Sequence, residues 1–394
     1  MNLSAYSPTR IIGALNRRRL DFFRNLRYQS AKSGNLQDSV LFESFQGKVI
    51  GDNPLDIFHE LKKQRSDLKF FWTVQKNKTQ APAGSTAVIH GSAQWLKLLA
   101  TSKYLVNNTN FPWYFRKSTG QIYLQTWHGT PLKRLGRDIP GNSLTASYLN
   151  TMDREATYWN ALISPNKYCT DIFPKAFNFS GRIIETGYPR NDRLKNDTGE
   201  IRARVRNQLG IKDEQTTLIL YAPTWRDYKR SATGAWLQVN FMEQAISLPT
   251  NSKLAYRGHT NTHSSRSKPI PSGAIDVTNY PDVTELYLAA DVLVTDYSSV
   301  MFDFSVTGKP IIILAPDISE YQAKRGFYFD FLGEVPGPVC TSNAELVQAL
   351  AHLKTNAKNF SEKYSRWQAK FNHREDGRAA QRVVSEIFLD SNHS

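Results

Sequence analysis

A chain of 394 residues is too long for one ordinary hydrophobic core and predicts two domains. A hydrophobic content of 40% with many aromatic residues excludes a disordered polymer, and only two cysteines, Cys169 and Cys340, exclude a disulfide framework and fit a reducing compartment. The formal charge of +15 calls for an acidic partner: nucleic acid, an anionic membrane surface or a phosphate-rich substrate.

In chain order, residues 1–34 read first as a basic amphipathic segment. Ile11, Ile12, Leu15, Phe22, Phe23 and Leu26 fall on one helical stripe, with Arg17, Arg18, Arg24 and Arg27 off it. Such a helix suits either the interface of an anionic membrane or packing on a domain. Arg19 falls within the stripe. No run is long enough to span a bilayer, and the longest, Ile311–Ala315, fits a buried strand. No signal-peptide core is visible, so a soluble or peripheral protein is expected.

From about residue 35, short apolar runs alternate with helical stretches. Strands are predicted at 70–74, 103–107, 122–126, 161–164 and 183–186, with a helix over Asn53–Lys63. The segment Gly187-Tyr-Pro-Arg-Asn-Asp192 reads as a connection. A second alternating set follows, with strands at 217–221, 253–257, 274–277, 292–295 and 310–314 and helices at 283–290 and 299–306. This βα alternation predicts an α/β protein with parallel sheets, divided as 35–190 and 191–394, with its site in an interlobe cleft.

Four strand ends carry chemistry. Gln125-Thr-Trp-His-Gly-Thr-Pro131 places His128 on a tight turn at the carboxyl edge of a sheet, where α/β proteins place ligands. Lys133, Arg134 and Arg137 follow it and mark an anionic partner. Asp291-Val-Leu-Val-Thr-Asp296 runs into Tyr297-Ser-Ser299 and a helix. Ser298 and Ser299 there suit a phosphate or pyrophosphate, or simply cap the helix. Tyr221-Ala-Pro-Thr-Trp-Arg-Asp227 offers Arg226 and Asp227, which serve either a nucleotide or their own loop. Arg257-Gly-His259 sets a second histidine directly after a strand. His263 lies four residues on, but no carboxylate or cysteine completes a metal site. Two imidazoles and a cluster of cations fit general-base and charge-stabilising work in phosphoryl transfer. No P-loop, dinucleotide glycine fingerprint, hydrolase elbow or kinase signature is present.

These segments together resemble the CDP-glycerol glycerophosphotransferase family of teichoic-acid primases and polymerases and their capsule-polymer relatives. The resemblance rests on Glu43-Ser-Phe-Gln-Gly47, Asp52-Asn-Pro54, Asn107-Asn108, Thr126–Lys133 with Leu135-Gly136, and Gly187-Tyr-Pro-Arg-Asn191. It continues through Tyr221–Arg226, Arg257-Gly-His259, Thr295–Ser299 with Asp303, Gly308-Lys-Pro310, Arg325–Tyr328 and Pro336-Gly-Pro338. It implies a GT-B architecture of two Rossmann-like lobes, and transfer of a polyol phosphate from CDP-glycerol or CDP-ribitol with release of CMP. No other cofactor and no metal is implied. On this chain it implies His128 as general base and His259 as donor-phosphate partner. Ser298, Ser299, Arg226, Asp227, Arg257 and Asp296 would serve the donor, and Lys133, Arg134 and Arg137 the acceptor. Thr260 stands where many relatives have proline.

The expected setting is the cytoplasmic face of the bacterial membrane, with a lipid-linked or polyanionic polymer as acceptor and no nucleic acid. The rivals are a GT-B glycosyltransferase using a nucleotide sugar and a non-catalytic binder of anionic polymer.

Overall fold

A computed structural model of the chain describes residues 8–76, 80–140, 144–230, 236–238, 242, 247–258 and 270–389, with the side chains at 8–15, 17, 225, 227–230 and 236–238 excepted. Close contacts group the chain into two compact units: Met1–His128, Thr151–Leu162 and Val384–Ser394; and Gly129–Asn150 with Ile163–Val383.

The first alternating set builds a seven-stranded sheet. Its strands are β1 (Gln37–Glu43), β2 (Lys69–Val74), β3 (Thr86–Ile89), β4 (Ser102–Asn107), β5 (Ile122–Gln125), β6 (Ala161–Ser164) and β7 (Arg182–Glu185), in the order β3-β2-β1-β4-β5-β6-β7. The registers of β1 with β2 and β4, and of β4 with β5, are parallel. β1 was not among the predicted strands, because its first residues are polar and its last is Glu43. It is nonetheless central, and Val40, Leu41 and Phe42 are fully buried. Phe42 stacks on Trp72 at 5.3 Å and meets Phe58 of the helix Asp52–Gln64 edge-on at 5.6 Å. That helix covers the sheet through Ile57, Phe58 and Leu61, the face that its apolar spacing predicts.

The second set builds a six-stranded sheet from β8 (Thr217–Ala222), β11 (Ser252–Tyr256), β12 (Ile275–Asp276), β13 (Val292–Thr295), β14 (Ile311–Leu314) and β15 (Val339–Cys340). Its order is β12-β11-β8-β13-β14-β15, parallel throughout. Between β8 and β11, β9 (Trp225–Arg230) and β10 (Trp236–Gln238) form a separate antiparallel pair. Side chains alternate between two buried faces. Leu218, Leu220, Leu293, Ile311 and Ile313 pack on Leu286, Tyr287, Met301 and Phe304, whereas Ile219, Tyr221, Val292, Val294 and Ile312 pack on Leu346 and Leu350. Burial on both sides explains why these strands read as unbroken apolar runs.

Taken in chain order, each sheet carries the doubly wound 3-2-1-4-5-6 order, the first with one strand added. In such sheets the crevice for a ligand opens where the order reverses, beyond the strands' carboxyl ends. Those points are the ends of β1 and β4 in one sheet and of β8 and β13 in the other.

The first helix runs from Pro8 to Ala31. Tyr28 anchors its end: the ring is buried against Tyr114 and Phe115, and the hydroxyl donates to the Arg116 carbonyl at 2.6 Å. Leu20, Phe22, Phe23 and Leu26 are about half exposed, at 49%, 55%, 49% and 50%. Ile11, Ile12 and Leu15 of the expected stripe, and Arg17 off it, lie outside the described side chains. Among the described residues no helix is long and apolar enough to cross a membrane.

Candidate active site

His128 follows β5, but its support comes from the switch point between β1 and β4. Its Nδ1 lies 2.7 Å from the carbonyl oxygen of Asn108, just past the end of β4. A carbonyl can only accept, so Nδ1 carries the hydrogen and Nε2 of the neutral ring keeps its lone pair. The Trp127 ring stacks on the imidazole at 4.1 Å, and Phe45 lies 5.5 Å away on the loop after β1.

The Asn108 side chain ties the neighbouring loops together. Its Oδ1 accepts from the Phe45 amide at 2.8 Å and its Nδ2 donates to Asp52 at 3.2 Å. Asp52 in turn accepts from the Asn53 amide at 2.6 Å, and Asn53 Nδ2 donates to the carbonyls of Thr126 and Trp127 at 3.3 and 3.4 Å. The ring of bonds returns to His128.

Backbone strain gathers at the same place. Among the described residues six non-glycine positions have left-handed φ, and four of them, Phe45 (47°), Gln46 (58°), Asp52 (61°) and Trp127 (50°), belong to these loops. Each costs of the order of 1 kcal/mol or more and persists only where its surroundings over-determine it. Gly47 completes the turn at φ 74°, and a Cβ there would come within 3.0 Å of Thr73 Cγ2 and the Val74 backbone.

Buried acids lie in the same unit. Burial pushes the Glu43 carboxyl up to about 7, against the pull of hydrogen bonds that include a 3.2 Å bond from the Trp95 indole. Burial likewise pushes Glu155 up to about 8, although the Phe111 amide and the Tyr123 hydroxyl donate to it at 3.3 and 3.2 Å.

The second switch point holds the Thr295–Ser299 turn. Ser298 and Ser299 are half-buried, and Ser298 Oγ accepts weakly from the Val300 amide at 3.4 Å. The α-helix after them is short, Val300–Phe304, so the expected helix over 299–306 ends in a 3-10 turn at Ser305–Thr307. Ser299 makes no side-chain capping bond, which leaves its hydroxyl for other use. Gly129 packs against this turn: a Cβ there would come 3.1 Å from Ser299 Oγ.

Three expected donor contacts, Arg226, Asp296 and Arg257, are engaged within the protein. Arg226 is fully buried, and its guanidinium bonds Asp296 at 2.8 Å, Asp317 at 2.8 and 2.9 Å, and the Thr224 carbonyl at 2.7 Å. Asp296, 1% exposed, also accepts from the amides of Thr224 and Tyr297 at 2.8 and 2.7 Å. The pair therefore frames the turn from inside rather than presenting charge to a ligand. Arg257 donates to the carbonyls of Val277 and Tyr280 at 3.1 and 2.8 Å, and its burial lowers its proton affinity. Backbone oxygens beyond β12 thus hold Arg257. His259, Thr260 and His263, and the side chain of Asp227, lie outside the described residues.

Lys133, Arg134 and Arg137 lie in the segment after Gly129. Lys133 forms a bridge with Phe327, the Arg134 guanidinium sits 5.6 Å over the Tyr328 ring, and Arg137 is exposed. Two motifs without an assigned role come together: Arg190 and Asn191 both bond Asp303 on the helix after the Ser298–Ser299 turn, Arg190 at 2.9 and 3.2 Å and Asn191 at 3.1 Å. Sequence reasoning also missed Asn108, Asp52 and Asp317. The first two stood in segments that carried the resemblance; nothing local singled out Asp317. Among the described residues no group of histidines, cysteines and acids is arranged to hold a metal ion.

Comparison with known proteins agrees with the geometry. Over 369 residues the chain is 38% identical to the teichoic acid glycerol-phosphate transferase of Staphylococcus aureus (strain NCTC 8325 / PS 47), covering 89% of this chain and 92% of that protein. It is 36% identical over 380 residues to the teichoic acid poly(glycerol phosphate) polymerase of Bacillus subtilis (strain 168), covering 93% of this chain. It spans only half, 50%, of that longer protein. The solved structure of the wall teichoic acid polymerase TagF superposes with a TM-score of 0.84 at 33% identity, covering 97% of this chain and 96% of that one. That likeness gives the two Rossmann-like sheets a GT-B-type fold. The model of the family described as CDP-Glycerol:Poly(glycerophosphate) glycerophosphotransferase matches residues 26–389, and the chain belongs to that family.

Proposed function

We propose that this enzyme transfers glycerol phosphate from CDP-glycerol to a hydroxyl of a lipid-linked or polymeric teichoic-acid acceptor and releases CMP. The observation that carries the reading is the Nδ1 bond from His128 to the Asn108 carbonyl, which leaves Nε2 as a base. Nε2 takes the proton of the acceptor hydroxyl as its oxygen attacks the phosphorus that bears the polyol. The bond from that phosphorus to the bridging oxygen breaks, and CMP leaves with the electron pair. Ser298 and Ser299 hold the donor phosphates, and His259 partners them. Asn108 and Asp52 are positioning residues that act through the imidazole.

Glycerol is favoured over ribitol because the glycerol-phosphate relatives named above are 36% and 38% identical, whereas three ribitol-phosphate enzymes reach 24% to 28%. A TagF variant soaked with CDPG superposes with a TM-score of 0.84 and supports the same donor. Parallel incubation with CDP-glycerol and CDP-ribitol tests the reading. CMP release with the first is expected; release of a nucleoside diphosphate from a nucleotide sugar would favour a glycosyltransferase instead.

Residues 35–190 and 191–394 serve as acceptor and donor lobes in this reading. Lys133, Arg134 and Arg137 meet the acceptor's phosphates. The exposed Leu20, Phe22, Phe23 and Leu26, with Arg18, Arg19 and Arg27 beside them, dock the helix Pro8–Ala31 on the anionic inner face of the membrane. Removing residues 1–27 should abolish sedimentation with anionic vesicles, and undiminished sedimentation would refute the docking.

A further inference from the structure

Asp317 stands just after β14, at the start of the helix Ile318–Arg325. An aspartate there ordinarily accepts from the first amides of its own helix. Asp317 makes no such capping bond. Its carboxylate goes instead to Arg226, at 2.8 and 2.9 Å, and to the Tyr297 hydroxyl at 3.0 Å. Burial pushes its proton affinity up, but the bonds from Arg226 and Tyr297 outweigh this and hold the carboxyl below the usual range.

Tyr297 is therefore pinned at both ends. Its amide donates to Asp296 at 2.7 Å and its hydroxyl to Asp317. Tyr321, four residues along from Asp317, stacks on the Tyr297 ring with centroids 3.9 Å apart. The Arg226 guanidinium lies 4.9 Å from both ring centroids. One short helix thus supplies an anion and an aromatic face to the residue directly before Ser298. The cluster holds two carboxylates against one guanidinium, and a net negative charge is a poor direct contact for a pyrophosphate. Its bonds end instead on the backbone and side chain of the turn.

We propose that Asp317 is a positioning residue for donor binding: through Arg226 and Tyr297 it fixes the Thr295–Ser299 turn, so that Ser298 and Ser299 meet the donor's phosphates in one arrangement. This rests on the reading of those serines as the donor-phosphate site. Preorganised hydroxyls spare the ligand the cost of ordering the turn, so loosening the turn should appear in donor affinity.

The test compares Tyr297→Phe, Asp317→Asn, the double variant, and Ser298→Ala with Ser299→Ala, in the full chain. Donor KM and kcat come from CMP release with CDP-glycerol, and thermal midpoints are measured alongside. Tyr297→Phe loses one hydroxyl and should raise donor KM about three- to tenfold with kcat within about twofold, as loss of a charge-assisted hydrogen bond implies. Asp317→Asn should raise KM at least as much. The double variant should be no worse than Asp317→Asn alone, because both remove the same link.

If the serine variants raise donor KM while Tyr297→Phe leaves it unchanged, the positioning role is overturned and the donor site stands. The positioning role is overturned in the same way if Asp317→Asn lowers only the thermal midpoint. If the serine variants also leave donor KM unchanged, the donor-site reading falls and the positioning role falls with it.

Discussion

The two switch points hold their candidate site residues by different means. Around His128 the loops are held by hydrogen bonds, two of them to the Asp52 carboxylate, and by strained backbone: the Asn108 carbonyl meets Nδ1, and Phe45, Gln46, Asp52 and Trp127 accept left-handed φ to bring the loops together. Around Ser298 none of the turn residues is strained in this way. There a fully buried guanidinium and two carboxylates lock adjacent strand ends. In the proposed mechanism the base needs Nε2 unprotonated, which a carbonyl partner at Nδ1 secures without adding charge. In the same reading the turn that meets the donor's phosphates needs only to stay in place, and a buried ion cluster does that while its charges remain inside.

The largest test of this contrast is His128→Ala. It should lower kcat by about 10³-fold, within the usual range for a general base, while CDP-glycerol binding measured by equilibrium dialysis stays within about twofold. Turnover near that of the parent enzyme would remove the base from the mechanism. Next is Arg226→Ala, which leaves Asp296 and Asp317 without their shared cation. It should cost about 3–5 kcal/mol in urea denaturation, the typical penalty for stranding buried charge. By contrast, Asp52→Asn should lower kcat about tenfold at a stability cost of about 1 kcal/mol, because it weakens the hydrogen bonds from Asn108 and the Asn53 amide without stranding a buried charge. Equal destabilisation by the two would erase the distinction between the regions.

A smaller effect is expected from Gly47→Ala. The Cβ would crowd Thr73 and Val74 at a φ that disfavours it, at a cost of about 1–3 kcal/mol. Because the loop carries Phe45, kcat should fall as well; an unchanged kcat would separate the strain from the site.

The smallest effect concerns Glu43, whose carboxyl burial raises to about 7 from an ordinary 4.5. The folded state then holds a proton that the unfolded chain has released, so stability falls as pH rises from about 4.5 to about 7 and levels off above that. Glu43→Gln should flatten this slope in urea midpoints measured across the window. A slope unchanged by the substitution would assign the dependence to other groups, among them Glu155 and Glu375, both raised to about 8 by burial.

Much of the fold is legible from local pattern. The strands at 292–295 and 161–164 fall where the apolar runs place them, and the helix Asp52–Gln64 buries the stripe its spacing marks. β1 escaped because a central strand that begins with Gln37-Asp-Ser39 and ends in a buried glutamate breaks the apolar pattern. The site was half legible. His128 and Ser298–Ser299 stand at strand ends beside turn residues, which periodicity reveals. The partners of Arg226 and Arg257 were not legible, because an arginine after a strand reads the same whether it faces solvent, a carboxylate or backbone carbonyls.

What the amino-acid order determined alone is where strands stop and which side chains stand at the stops, since both follow from neighbours a few residues apart. Partnership was decided only in three dimensions. Asn108 meets His128 across 20 residues, and Asp317 meets Arg226 across 91. The sheet order creates these meetings by bringing distant strand ends side by side, and no local signal encodes that order.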